Sequence, residues 1–128
     1  MRFLSIYKTV ERGTPPTPEE MEKMGTLVDE AMRRGELLAT EGCLPSALGA
    51  RVRLEGGKVS VTDGPFAEAK EVIAGFAVLQ ADSKAEAIEM ARRFLAVAGE
   101  GECEIRQIFE GPGCVEQSIT AGEAAARA

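Results

Sequence analysis

The chain of 128 residues contains no histidine and no tryptophan, and its aromatic residues are five Phe and one Tyr. The missing histidine removes the side chain that titrates near neutral pH and the commonest metal ligand. Any catalysis must then run on carboxylates, Lys, Tyr, Cys, Ser or Thr. Cysteine is scarce and odd in number (Cys43, Cys103 and Cys114), with no CxxC spacing, so neither a disulfide framework nor a zinc knuckle follows. No metal and no cofactor is expected. Long apolar runs are missing too. Nothing approaches the roughly 20 residues that cross a bilayer, and the opening Met1–Lys8 has neither the apolar run nor the small-residue cleavage site of a signal peptide. The expected compartment is the cytoplasm, with no membrane partner. Positive charge is in short supply, 15 Lys and Arg against 21 Asp and Glu, for a formal net charge of −6. That balance argues against a nucleic-acid surface, which needs clustered cations to neutralise phosphates; no nucleic-acid partner is expected. The two basic pairs, Arg33-Arg34 and Arg92-Arg93, are expected near helix C-termini, where they offset the macrodipole.

What the sequence does contain is ordinary globular patterning, 45% apolar and 28% charged, at the size of one domain. Residues 2–8 read as a strand ended by Gly13-Thr14-Pro15-Pro16. Thr17 as N-cap, Pro18 at the first helical position and Glu20 closing a capping box open a helix. Its apolar stripe is Met21, Met24, Val28, Ala31 and Met32, and Gly35 stops it. A second strand starts at Leu37. Arg51–Glu55 and Lys58–Thr62 then flank Gly56-Gly57, a dipeptide suited to a two-residue hairpin turn. The register pairs Glu55 with Lys58, Leu54 with Val59, Arg53 with Ser60 and Val52 with Val61, giving one aliphatic and one polar face. Residues 73–81 are apolar on both faces and read as a central strand. Ser83 and Glu86 cap a second helix expected to turn Ile88, Ala91, Phe94 and Leu95 inward. A last strand covers Cys103–Glu110, and residues 111–128 form a tail, a short helix or a frayed end.

The order strand, helix, strand, hairpin, strand, helix, strand predicts an α+β fold. It is a ferredoxin-like antiparallel sheet with two helices on one face and an inserted β-hairpin, built from residues 1–110. Two helices cover one sheet face, yet residues 73–81 are apolar on both. A second copy of the chain is the expected cover for the other face, making a homodimer; the alternative is that the hairpin and tail fold back over it.

The segment Val61-Thr62-Asp63-Gly64-Pro65-Phe66-Ala67-Glu68, continuing Ala69-Lys70-Glu71-Val72-Ile73-Ala74-Gly75-Phe76, closely resembles the signature of the YCII-related, DGPF-domain proteins. Glu41-Gly42-Cys43-Leu44-Pro45 and Asp82-Ser83 add to the resemblance, which spans about residues 1–110. It implies a dimeric α/β-barrel in which two sheets pack face to face, and a regulatory setting linked to sigma factors. The His-Asp pair suspected of catalysis in some relatives cannot be carried over, because this chain has no histidine.

Asp63 leads the candidate catalytic residues: it follows a strand and precedes Gly64-Pro65, where a carboxylate can act as a base or bind a ligand, or simply cap the turn. Glu41, from another strand, would form a carboxylate pair with it if the two approached closely. Asp63, Glu68, Lys70 and Tyr7 are the candidate ligand-binding residues, weighed against a solvated charge run for Glu68-Lys70-Glu71 and a core or interface role for Tyr7, its hydroxyl on water. No phosphate loop, dinucleotide fingerprint or zinc motif is present. Three functions stay open: a dimer binding a small molecule near Asp63, a cofactor-free enzyme using carboxylate acid/base chemistry, and a protein-interaction module linked to sigma-factor regulation.

Overall fold

The computed structural model describes residues 1–66 and 68–110; the expectations for 111–128 and for Cys114 lie outside that range. Strands β1 (Arg2–Thr9), β2 (Leu37–Gly42), β5 (Val72–Gln80) and β6 (Glu102–Gln107) form one antiparallel sheet in the order β2-β5-β1-β6. Helices α1 (Pro18–Arg33) and α2 (Lys84–Ala98) complete this unit, and β3 (Ala50–Glu55) with β4 (Lys58–Asp63) makes a separate two-stranded hairpin. The fold is α+β, and the sheet of a single chain is open, with β2 and β6 as its edges. Among the described residues no helix is long and apolar enough to cross a membrane.

The local signals explain these elements. Thr17 and Glu20 satisfy each other's backbone N–H groups at the start of α1. At its end Gly35 donates to Met32 and Glu36 to Ala31, the paired bonds of a Schellman stop. Ser83 accepts from the Glu86 N–H, but the Glu86 carboxylate reaches past Ser83 to the N–H of Asp82, so the box expected there is opened by one residue. The hairpin register is the expected one at all four pairs, with Gly56 and Gly57 at φ of 59° and 80°, the left-handed backbone that this turn demands.

Both helices lie on one face of the sheet. Its core is Phe3, Leu37, Leu79, Ala81 and Ala87, packed with Val28 and Ala31 of α1 and Met90 of α2. Residue 73–81 does prove central, β5 lying between β2 and β1.

Four expectations need correction. In helix α2, Ala91 and Phe94 turn inward as expected, but Ala87 takes the buried place and Ile88 is exposed, because an alanine lets the helix approach the sheet where a larger side chain would hold it off. Helix α1 buries no residue fully, and Met21 is 60% exposed. Arg92 and Arg93 sit in the middle of α2 rather than at its end, Arg92 pairing with Glu89 and Arg93 reaching Glu36. Strand β6 stops at Gln107 because its partner β1 begins at Arg2, whose carbonyl takes a last bond from Ile108.

Among the described residues, no helix lies on the opposite sheet face. By register and alternation it carries Leu4, Ile6, Phe76 and Val78 across the two central strands, with Ile73 opposite Lys8. Phe76 and Ile73 are 37% and 53% exposed. Along β6 this apolar centre meets a charged margin, where Lys8 binds Glu104 at 2.7 Å and Arg106 binds the same carboxylate at 3.3 Å. The hairpin does not fold back to cover it. Every residue of β3 and β4 is exposed, including Val52, Leu54, Val59 and Val61 at 63–71%.

Candidate functional site

The sequence-derived candidates separate into two places. The first is the base of the hairpin, where the Asp63-Gly64-Pro65-Phe66 turn docks on a short 3-10 turn, Ser46–Leu48. Gly64 donates its N–H to the Gly49 carbonyl at 2.9 Å, and a Cβ on Gly64 would fall onto the Ser46 carbonyl. Only glycine permits that approach. Ser46 is held from the other side by Glu11, which accepts from the Ser46 hydroxyl at 2.7 Å and from its backbone N–H; these bonds draw the Glu11 carboxyl below its ordinary range, the backbone bond most. The Arg51 guanidinium lies 3.9 Å from the centre of the Phe66 ring and pairs with Glu68. The Glu68 carboxyl is lowered chiefly by that arginine. Asp63 is exposed at the end of β4, opposite Ala50, and among the described residues nothing donates to its carboxylate. Lys70 is exposed as well. The residues here are braced against one another as a mount for the hairpin.

The second place is a cleft between the helices and the sheet, an open-sided cavity of about 1420 Å³. Its walls are Met21, Met24, Leu27 and Val28 of α1, Ala77 and Leu79 of β5, and Met90, Phe94 and Val97 of α2. This is where the α1 stripe goes: it faces the cleft instead of closing onto the sheet. Tyr7 lines the cleft, its ring edge-on to Phe94 with centroids 5.1 Å apart. Its hydroxyl donates to the Glu100 carbonyl at 3.0 Å, so protein backbone rather than water is its partner, and Thr9 adds a bond of 2.9 Å to the same carbonyl. Glu41 lies at the cleft's edge on β2, but its register partner Phe76 places its side chain toward the opposite sheet face. Asp63, Glu68 and Lys70 do not line the cleft.

The candidates are therefore Tyr7 in the cleft, Glu41 at its edge, and Asp63, Glu68 and Lys70 at the hairpin base. Among the described residues, no three Cys, Asp or Glu side chains come together as a metal-ligand set. Burial pushes the Cys103 thiol up, against a hydrogen bond with Ser5 that lowers it, the opposite of the lowering that activates a thiolate. Glu11 and Ser46 were invisible in the sequence, since their contact joins residues 35 apart. The cleft had one sequence signal, the methionine stripe, which reads equally well as core.

Comparison with known proteins adds the following. The chain is 32% identical over 72 residues to an uncharacterised protein of Rhizobium meliloti (strain 1021), a stretch that is 56% of this chain and 58% of that protein. The match thus spans little more than half the length of the curated relative. The family model of the YCII-related domain matches residues 1–111. Matched over that much of its length, and carrying the extended Asp63-Gly64-Pro65-Phe66 segment within it, the chain belongs to the YCII-related domain family.

Proposed function

We propose that this protein is a ligand-binding homodimer that takes a small, largely apolar molecule between its helices and its sheet. The observation that carries the reading is the cleft itself. Its middle is walled by Met, Leu, Val, Ala and Phe side chains, with the charged residues at its ends, the mostly apolar lining with a few placed polar groups that small-molecule sites have. An acid/base enzyme would draw its carboxylates together on one cavity. Here Asp63 lies at the hairpin base, outside the cleft, and the carboxylates of Glu11 and Glu20 at the cleft's edge are engaged by Ser46 and by Arg12 and Thr17, which favours binding.

The strand order β2-β5-β1-β6 with both helices on one face supports a ferredoxin-like half-barrel. In the dimer a second copy lies against the face bearing Leu4, Ile6, Phe76 and Val78, and the two sheets together make the α/β-barrel. The apolar centre and charged margin of that face have the anatomy of a protein interface. A soluble cytoplasmic binding protein accords with the composition.

The test uses Gly25, which lies on the cleft wall in α1 with nothing within 4 Å of where a Cβ would stand. Gly25→Leu fills the cleft and replaces a helix-weakening residue, adding up to about 1 kcal/mol of stability. Titration with the neutral fluorescent probe N-phenylnaphthylamine should show saturable binding to the native chain, weakened at least about tenfold in Gly25→Leu, with a melting temperature no lower. Equal binding by both proteins, or none by either, would refute the cleft as the site.

A further inference from the structure

We infer that the ligand of the cleft is an anionic amphiphile, a hydrocarbon body carrying a single carboxylate-class head, seated with its head between Arg34 and Arg93. The inference rests on the cleft being the ligand site and goes on to name the ligand's chemistry and direction.

The walls specify the body. On α1 the cleft lining runs from Glu20 to Arg34, a length of about 20 Å at 1.5 Å per residue. The volume of about 1420 Å³ exceeds the roughly 300–1,000 Å³ of ordinary small-molecule pockets. Met21, Met24, Met90 and Phe94 along it offer polarizable, adaptable surface to a flexible chain. A long apolar body fits this shape better than a compact polar metabolite.

The two ends specify the head. One end is formed by the close of α1, the start of β2 and the middle of α2. There Arg34 and Arg93 both border the cleft, and both address the one carboxylate of Glu36, at 3.5 Å and 3.8 Å. Well-formed charge-assisted bonds are nearer 2.7–2.9 Å, and each guanidinium has five N–H donors. Two cations that share one anion at long range leave one positive charge and most of their donors unspent. The far end has the opposite character. Glu11, Glu20 and Glu100 border it, and among the described residues there the one cation is Arg12, which meets Glu20 at 3.5 Å. Charge along the cleft therefore runs from positive at the Arg34–Arg93 end to negative at the far end. An anionic head is drawn to the first and repelled from the second.

Calorimetric titration of the full-length protein with laurate and with dodecanol, which share a hydrocarbon length and differ in head charge, tests this. Below the micellar range the native protein should bind laurate about tenfold more tightly than dodecanol, with a margin that shrinks as salt is added. The double variant Arg34→Gln, Arg93→Gln should lose the margin while keeping its dodecanol affinity. Equal affinity for the two in the native protein, or a margin that survives in the double variant, would overturn the charged-head assignment and leave the cleft standing. Binding of neither compound, or binding undiminished by Gly25→Leu, would overturn the cleft reading and this inference together.

Discussion

The Ser46 carbonyl occupies the space where residue 64 would carry a Cβ, and this gives the Asp63-Gly64-Pro65-Phe66 segment a mechanical meaning. Gly64 lets the chain leaving β4 press against the 3-10 turn; Glu11, Ser46, Arg51 and Glu68 then brace the contact from both sides. Gly64→Ala must push two backbones apart, an overpacking that costs about 1–3 kcal/mol. Proteolysis under native conditions should show faster cleavage within residues 43–66 in that variant, with β1 and β5 still protected; an unchanged pattern would contradict the mount. The sequence made this segment conspicuous but read Asp63 as its centre. The glycine matters because of a carbonyl 18 positions away, and nothing local records that. Tyr7 is a similar case. Its place in β1 was legible, whereas its hydroxyl's partner depended on where the loop after α2 comes to rest.

Elements were most readable where independent signals coincided. The β3–β4 hairpin has a two-glycine turn, an aliphatic alternation and a polar one, and all three require the same register, which is the one observed. Helix α2 was less readable. Ala91 was expected inward and is buried, but Ala87 takes the place expected of Ile88 by size, not hydrophobicity. Helix α1 was correctly bounded, yet its stripe says only that one side is apolar and is silent on whether that side meets protein or a cavity. The hairpin raises an energetic question of its own. Four aliphatic side chains 63–71% exposed on a braced arm gain nothing in an isolated chain. If the arm packs on the second copy, Val52→Ser with Val61→Ser removes apolar contact from the dimer while costing the single chain little. The dimer dissociation constant should rise at least about tenfold with the far-ultraviolet circular dichroism unchanged; an unaltered constant would show that the arm stands outside the interface.

At the scale of the whole molecule one sheet has two different tasks. The face bearing Phe3, Ser5, Ala77 and Leu79 supports the helices and floors the cleft. The face bearing Leu4, Ile6, Phe76 and Val78 is not covered by α1 or α2, and in the proposed dimer it receives the second copy. An apolar face beyond the reach of the two helices was legible from residues 73–81, apolar on both sides of the central strand. The cleft was not, because the distance between layers is set by packing and leaves no mark on residue order. Arg34 and Arg93 show the same limit: in sequence each belonged to a basic pair assigned to a helix end, and only the fold brings them to one carboxylate. Sedimentation equilibrium at micromolar concentration, comparing the native chain with Phe76→Lys, tests the pairing of sheets most directly. The native protein should sediment at twice the 13.6 kDa mass of one chain, and Phe76→Lys, which places a charge at the centre of the bare face, should sediment at close to that single mass. A native protein found as a stable single chain would contradict the account.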